Sequence, residues 1–206
     1  MDTNDTLEHE LMSAVDAMTG DAPEIAPAAT AAGLVDVAYA VYDSPAGALL
    51  LAATPRGLVR VAYLDAADQE RVLEQLARRV SPRVLLAPRR LDEDRRQLEA
   101  YFTGTRKIFD LPIDWQLCAG FGRRVLDATA RIPFGGLSTY KQVATEAGSP
   151  GASRAAGNAL GANPMPIVVP CHRVVHSTGG LGGYTGGLER KRLLLRVEGH
   201  EVTALA

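Results

Sequence analysis

Three neighbouring residues in the C-terminal half, Cys171, His172 and Arg173, have the side chains best suited to covalent chemistry. They follow the apolar β-branched run 167–169, which should be buried, and Pro170, which holds the residue before it extended. Cys171 is therefore expected at the end of a rigid core strand. Positive charge from His172 and Arg173 is expected to lower the thiol pKa from about 8.5 toward neutrality, which favours the nucleophilic thiolate.

A base for this thiol is available, together with a carboxylate that could orient the base. Adjacent side chains point in different directions in helices and strands, so we expect His172 to act on Cys171 through a bridging water. Glu198 ends a predicted helix over 188–198 and is the natural orienting partner. A carboxylate is unfavourable at the C-terminal end of a helix dipole, which indicates that Glu198 has a role other than stabilising the helix. The ordinary alternatives are an inert buried cysteine and a stray surface glutamate.

A glycine-rich loop, GGLGGYTGG over 179–187, lies between these two segments. It is too rich in glycine for the interior of a helix or strand, and it lacks the Lys-Ser/Thr ending of a phosphate-binding P-loop. Such a loop allows the backbone to approach a flat ligand closely, with Tyr184 and backbone N–H groups as hydrogen-bond partners. The alternative is a merely flexible linker.

The elements that must position these residues differ between the two halves of the chain. Residues 37–64 alternate short apolar runs with turn residues, which predicts a three-stranded meander. Apolar residues at helical spacing predict helices over 68–80 and 91–102, and 108–113 is a further candidate strand. We therefore predict an α/β domain that serves as scaffold, because it contains no cluster of catalytic side chains.

The second half has a helical pattern. A helix is predicted over 120–132, followed by a short helix that Ser138 or Thr139 caps and Gly148 ends. A second short helix is predicted over 152–161. Two short helices joined by a tight glycine-containing turn are the pattern of a helix-turn-helix, although many helical hairpins bind nothing. The boundaries we predict are a disordered acidic tail over 1–33, the α/β domain over 34–115 and a mostly α domain over 116–206.

Composition narrows the class of protein. A chain of 206 residues can bury a core without staples, and its two cysteines lack zinc-finger spacing or a CxxC pair, so we expect neither a disulfide framework nor a metal. No apolar run has the length of a membrane span, and no secretory signal is present, so a cytoplasmic protein is expected.

Charge is distributed unevenly along the chain. Residues 1–36 carry no Lys or Arg, whereas 120–199 hold ten basic residues against four acidic ones. Basic side chains that face phosphates supply the sequence-independent part of DNA affinity, so this part of the chain could meet an anion. Solvated helix faces are the alternative. The tail is assigned no chemistry, apart from a possible short helix over 7–18.

These motifs resemble those of the O6-alkylguanine-DNA alkyltransferases, also called methylated-DNA–protein-cysteine methyltransferases. The resemblance lies in IPFGGLSTYKQVA, ASRAAGNALGANPMPIVVPCHRVV and GGYTGGLERKRLLLRVEG, and PCHRV preceded by NPxPI is highly specific. YDSPAGALLLAATPRGLVRV resembles the family's N-terminal domain more loosely. The resemblance implies a ribonuclease-H-like α/β domain and a winged-helix-like C-terminal domain with a helix-turn-helix.

The resemblance also implies an activity: stoichiometric transfer of an alkyl group from O6-alkylguanine in double-stranded DNA to Cys171, without a cofactor. The nucleotide would be flipped out and approached from the minor groove, by a protein expected to be a monomer. O4-alkylthymine is a candidate second substrate. The implied catalytic residues are Cys171, His172, Glu198, Asn163, which braces the turn, and Tyr140, which donates a hydrogen bond to the guanine ring. The implied substrate and DNA contacts are Arg154, which fills the gap left by the base, Tyr184, Thr185, Val174 through its backbone, and Lys191.

Some features depart from the family. Gly122 and Leu126 stand where many members have Gln and Trp, and the cysteines with which certain relatives bind zinc are missing, so no metal is expected. Two other functions stay open: a non-catalytic sensor of alkylated DNA, which Cys171 disfavours, and a Cys-His hydrolase, for which multiple turnover of a thioester would argue.

Overall fold

The computed structural model describes residues 33, 35–64 and 69–201. The predicted tail over 1–33, except Gly33, and its short helix over 7–18 lie outside the described residues. Three strands follow one another as predicted, namely β1 (Val37–Ser44), β2 (Gly47–Thr54) and β3 (Gly57–Tyr63). They form an antiparallel meander in which Ser44 pairs with Gly47 and Thr54 pairs with Gly57.

A fourth strand completes the sheet. Helix α1 (Gln69–Arg79) crosses over to β4 (Val84–Leu86), which pairs in parallel with β1, and the strand order is β3-β2-β1-β4. β4 was not predicted from the sequence, because its three residues, two half-buried and one exposed, carry no alternating pattern. Helix α2 (Asp92–Phe102) follows a short 3₁₀ turn at Pro88–Leu91.

The candidate strand over 108–113 is wrong. Only Ile113 forms a bridge, opposite Leu58, while the carbonyl of Pro112 accepts from the backbone N–H of Leu58 at 2.8 Å. Proline has no N–H to donate, so the ladder cannot continue along this segment.

The C-terminal part is helical. Helix α3 (Gly120–Ala130) is followed by a capping box, in which the Thr139 hydroxyl accepts from the N–H of Gln142 and the Gln142 side chain accepts from the N–H of Thr139. Helix α4 (Tyr140–Glu146) therefore begins where the sequence predicted, and Gly148, at φ +78°, lies just beyond its end. Helix α5 (Ser153–Gly161) completes the hairpin, and α6 (Leu188–Val197) is the last helix.

A short parallel strand pair connects the start of α4 to the segment that follows Cys171. Strand β5 (Ser138–Thr139) pairs with β6 (Val174–Val175), immediately after the cysteine segment. Strands of two residues show no alternating pattern, so neither was predicted from the sequence. One core joins the two halves: Leu51 and Leu58 of the sheet and Leu98 of α2 share it with Val125 of α3 and Leu194 of α6. A smaller core lies on the other side of the sheet, under α1.

Candidate active site

The segment that carries Cys171 is a buried turn rather than the predicted strand. Pro164, Pro166 and Pro170 remove backbone donors at short intervals, which prevents a ladder, and the backbone N–H of Val169 instead closes a turn onto the carbonyl of Met165 at 2.8 Å. Ile167 adopts φ 75°, which is strained for a β-branched residue. The expectation of burial is confirmed, because Ile167 and Val169 are fully buried.

Asn163 braces this turn at both ends. Its side-chain amide donates to the Val169 carbonyl at 2.8 Å and to Cys171 Sγ at 3.2 Å, while its Oδ1 accepts from the N–H of Met165 at 3.0 Å. Asn163 is itself buried. Cys171 then opens a 3₁₀ turn, Cys171–Arg173. The amide therefore both fixes the sulfur and offers it a hydrogen bond that favours the thiolate.

The electrostatics of the thiol differ from the expectation. Burial raises the pKa of Cys171 to about 11, and the hydrogen bond from Asn163 and the charge of Lys191 oppose this only in part. The expected lowering by His172 and Arg173 is wrong, because Arg173 turns its charge toward Glu198. Loss of the thiol proton must therefore be coupled to a base.

His172 is the candidate base by position. The side chain is fully buried, and Nε2 lies 2.8 Å from Glu198 Oε1. Burial lowers the pKa of His172, against the opposing effect of Glu198, so the imidazole is neutral at pH 7. A neutral ring that donates from Nε2 leaves Nδ1 as an acceptor, and Nδ1 is buried with no hydrogen-bond partner among the described residues.

Glu198 lies just past the last helical residue of α6 and is buried. A carboxylate is unfavourable at the C-terminal end of a helix, but hydrogen-bond donors around Glu198 offset this. Arg173 donates from Nε to Oε2 at 2.9 Å and from Nη2 to Oε1 at 2.9 Å, and the backbone N–H of Gly135 donates to Oε2 at 3.1 Å. Burial alone would raise the pKa of Glu198, but the hydrogen bonds from His172 and Arg173 lower it to about 2.

A further donor to Glu198 was missed by the sequence analysis. The Tyr101 hydroxyl, from α2 in the sheet domain, donates to Glu198 Oε1 at 2.8 Å. Its position beside Leu98 and Phe102 gave Tyr101 the appearance of an ordinary core residue of an amphipathic helix. A tyrosine on an apolar face, whose hydroxyl needs a partner when buried, was the only available signal.

A cavity of about 620 Å³ opens above the sulfur. Such a volume suits a small planar ligand. Five of the predicted site residues line it together, namely Tyr140, Arg154, Cys171, Tyr184 and Thr185. Arg154 is exposed near the start of α5, so its guanidinium stands on the solvent side of the cavity.

The cavity walls are held by tyrosines and by the glycine-rich loop. Burial raises the pKa of Tyr140, which keeps its hydroxyl a donor. A Cβ on Gly182 would overlap that hydroxyl, and φ there is +69°, so glycine is required. The Tyr184 hydroxyl shares a hydrogen bond of 2.7 Å with the hydroxyl of Tyr63 from β3, and the Thr185 hydroxyl donates to the Gly161 carbonyl at 2.8 Å.

Lys191 and Val174 have a different placement from the other predicted contacts. Lys191 is fully buried, and its ammonium group donates to the carbonyls of Val174 and Leu181. The prediction that Lys191 contacts DNA directly is wrong, because the amine holds the start of the glycine-rich loop against β6. The Val174 side chain is buried, its backbone N–H donates to the Cys171 carbonyl, and its carbonyl accepts from Lys191. A backbone contact of Val174 with the ligand remains a prediction.

The described residues hold neither a cluster of metal-binding side chains nor a membrane-spanning helix. They contain no group of three or more His, Cys, Asp or Glu side chains that could hold a metal ion. None of the helices in that part of the chain has the length and apolarity needed to cross a bilayer. The absence of a metal and of a cofactor remains a prediction.

Fold and site together define a class: a sheet domain joined to a helical domain that presents a buried Cys-His-Glu set beneath a cavity, beside a helical hairpin. Two family models match the chain: "6-O-methylguanine DNA methyltransferase, ribonuclease-like domain" over 37–115 and "6-O-methylguanine DNA methyltransferase, DNA binding domain" over 120–200. The chain belongs to the 6-O-methylguanine DNA methyltransferase family.

Individual relatives agree. A methylated-DNA–protein-cysteine methyltransferase of Methanosarcina acetivorans is 38% identical over 161 residues, which covers 78% of this chain and 97% of the relative. A Mycobacterium tuberculosis protein of the same name is 39% identical over 160 residues, with 78% and 91% covered. A crystal structure of M. tuberculosis OGT in complex with DNA superposes with a TM-score of 0.66 at 37% identity, covering 78% of this chain and 92% of that one.

Proposed function

We propose that this protein repairs DNA by direct reversal, moving the alkyl group of O6-alkylguanine onto Cys171 Sγ. One observation supports Cys171 as the alkyl acceptor. Cys171 lines the cavity, accepts a hydrogen bond from Asn163 and is followed directly by His172, which pairs with Glu198. Family membership supports the reaction class, and the DNA complex of M. tuberculosis OGT supports DNA as the partner.

The reaction is a displacement at the alkyl carbon. His172 Nδ1 takes the thiol proton of Cys171 through a water, while Glu198 holds Nε2–H and stabilises the imidazolium that forms. Sulfur attacks the alkyl carbon, the carbon–O6 bond breaks, and its electron pair stays on the guanine. The Tyr140 hydroxyl donates to the guanine ring as this charge develops. The thiol proton ends on the guanine, so the products are an alkylated cysteine and unmodified guanine.

Access to O6 requires an extrahelical base. The methyl group is hidden in the stack, so the nucleotide turns out into the cavity at a cost of a few kcal/mol, which a badly paired lesion lowers. Arg154 enters from the minor groove and fills the gap. Tyr184, Thr185 and the Val174 backbone contact the guanine. The exposure of Arg154 at the cavity rim supports its part in this arrangement.

Several finer assignments belong to the same proposal. The product thioether has no group beside it able to cleave it among the residues that line the cavity, so each molecule reacts once. The protein acts as a monomer and works in the cytoplasm, where the free thiols Cys118 and Cys171 persist. O4-alkylthymine stays a candidate second substrate. The sheet domain is ribonuclease-H-like, and the helical hairpin with β5 and β6 is winged-helix-like.

Intact-mass measurement after incubation with excess duplex containing one O6-methylguanine tests the proposal. Wild type should gain one methylene, located by digestion to the peptide that holds Cys171. Cys171→Ser should gain nothing, and Cys118→Ser, the matched control, should behave as wild type. Tight lesion binding without a mass gain in wild type would identify a non-catalytic sensor of alkylated DNA instead. Turnover of a thioester would identify a hydrolase.

A further inference from the structure

Tyr101 is the one buried hydroxyl that the sheet domain directs at the Cys-His-Glu set, within the part of the chain that the structure describes. The residue is fully buried in α2. Its ring is fixed by three aromatic neighbours: Phe102 at 5.5 Å, Phe109 at 5.4 Å and Phe134 at 6.1 Å between centroids. A ring held on several sides has little freedom, so the position of its hydroxyl is defined by the fold.

The Tyr101 hydroxyl donates to the same Glu198 oxygen that pairs with His172. Glu198 Oε1 lies 2.8 Å from the Tyr101 hydroxyl and 2.8 Å from His172 Nε2, and the hydroxyl is 3.4 Å from Nε2. Burial raises the pKa of Tyr101, so it remains a donor throughout the accessible pH range. Oε1 of Glu198 therefore shares its charge among the Tyr101 hydroxyl, the Arg173 guanidinium and the imidazole.

We propose that Tyr101 is a positioning residue of the reaction, through which the sheet domain sets the basicity and orientation of His172. The inference rests on the proposed role of Cys171 as alkyl acceptor. Tyr101 is not among the residues that line the cavity, and its hydroxyl donates to Glu198, so it acts through Glu198. The α/β domain is then more than a scaffold, because it completes the set that prepares the thiol.

The direction of the effect follows from charge. A donor at Oε1 spreads the carboxylate charge and weakens its pull on a proton at His172. Removing the hydroxyl while keeping the ring strengthens that pull and favours the imidazolium, which cannot accept the thiol proton. The other groups facing His172 keep their identity in this substitution; they are Glu198, Arg173, Lys191 and Tyr184.

The test is the single-turnover rate of methyl transfer to Cys171, measured by mass against pH, for wild type and Tyr101→Phe. We expect the half-maximal pH of Tyr101→Phe to rise by about one unit, so its rate falls about tenfold below both midpoints and converges with wild type above them. Tyr42→Phe, which removes a hydroxyl from a half-buried tyrosine packed on the same core, is the matched control and should keep the wild-type profile.

Three other outcomes separate the possibilities. An unchanged profile, or a loss of equal size at every pH, would overturn the positioning role, since a purely structural defect lowers the amount of active protein at all pH values. A wild type that never gains mass at Cys171 would refute the proposed function instead. Nitrogen chemical shifts of labelled His172 give an independent readout, because Tyr101→Phe should raise the pH at which the ring becomes doubly protonated.

Discussion

Arg173 holds Glu198 by two parallel hydrogen bonds in the protein interior, from Nη2 to Oε1 and from Nε to Oε2, each at 2.9 Å. The Arg173 side chain is 7% exposed and that of Glu198 0%. Water therefore contributes little to either charge, and each depends on the other. The charge of Arg173 thus neutralises the Glu198 carboxylate, rather than lowering the pKa of the Cys171 thiol.

Breaking this pair should cost much of the stability of the domain. Arg173→Leu leaves the Glu198 carboxylate buried without its main counter-ion, and we expect a loss of about 3–5 kcal/mol in the free energy of unfolding. Urea unfolding at pH 7 measures it. Arg192→Ala is the control, because it removes an exposed partner of Glu189 on the same helix and should change little. Equal losses in both variants would contradict the prediction.

The same carboxylate should make stability depend on acidity. Hydrogen bonds from His172 and Arg173 lower the pKa of Glu198 to about 2, against burial, whereas the ordinary value is 4.5. Between these two pKa values Glu198 is protonated in the unfolded chain and ionised in the folded chain. This stabilisation is complete above the ordinary pKa and is lost as the pH falls through the folded one.

Unfolding free energies measured from about pH 6 down to about pH 3 should fall more steeply for wild type than for Glu198→Gln, which has no carboxyl to protonate. Glu189→Gln, on the exposed face of α6, should keep the wild-type slope. If Glu198→Gln and wild type fall in parallel, Glu198 does not carry the expected linkage.

The sequence predicted the parts of the molecule that depend on local pattern. The meander of β1 to β3, the capping box at Thr139 and the helices around Leu98 and Val125 follow from short-range periodicity and caps. β4 and the β5–β6 pair are too short to show a period, and their formation depends on distant partners.

Parts of the candidate site could not be predicted from local sequence pattern either, because the partners lie far apart in the chain. Tyr101 and Glu198 are 97 positions apart, so nothing near Tyr101 announces its partner. Lys191 was placed among the substrate and DNA contacts, yet its ammonium group donates to two carbonyls inside the fold. Lysines are usually exposed, so nothing local indicates this burial. Family resemblance brought Asn163 and Tyr140 to attention, whereas Tyr184 was singled out by its place in the glycine-rich loop. The roles of all three remain predictions.

Gly186 should tolerate no side chain, for reasons of space alone. A Cβ there would lie 2.5 Å from Tyr63 Cε2 and 2.9 Å from Tyr184 Cε1. Gly186→Ala should therefore displace one of the two rings and destabilise the protein by about 1–3 kcal/mol. Gly183→Ala, in the same loop with open space at the Cβ, is the control and should be nearly neutral.

A double variant locates the clash. Combining Gly186→Ala with Tyr63→Ala makes room for the methyl group, so the loss should be smaller than the sum of the two single changes. Thermal unfolding of all four proteins measures this. Strict additivity would show that Tyr63 is not the group that excludes a side chain at Gly186.

Arg154 should matter only when the base begins inside a duplex. If its guanidinium fills the gap left by the flipped nucleotide, Arg154→Ala removes stabilisation of the opened state and should slow methyl transfer from duplex O6-methylguanine by about tenfold or more. Free O6-methylguanine base needs no flipping, so its slower reaction should proceed at the wild-type rate. Arg131→Ala, which removes an exposed charge just after α3, controls for general electrostatic attraction to DNA.

Measurements at increasing salt concentration distinguish attraction of Arg154 to DNA phosphates from filling of the gap in the base stack. The loss in Arg154→Ala should persist at a salt concentration where the effect of Arg131→Ala has been screened away, because filling a gap in the stack depends on shape as well as charge. A defect of equal size on free base and duplex would mean that Arg154 shapes the cavity itself. A defect on duplex that salt abolishes would leave Arg154 as an ordinary phosphate contact and would remove the main support for its place in the opened duplex.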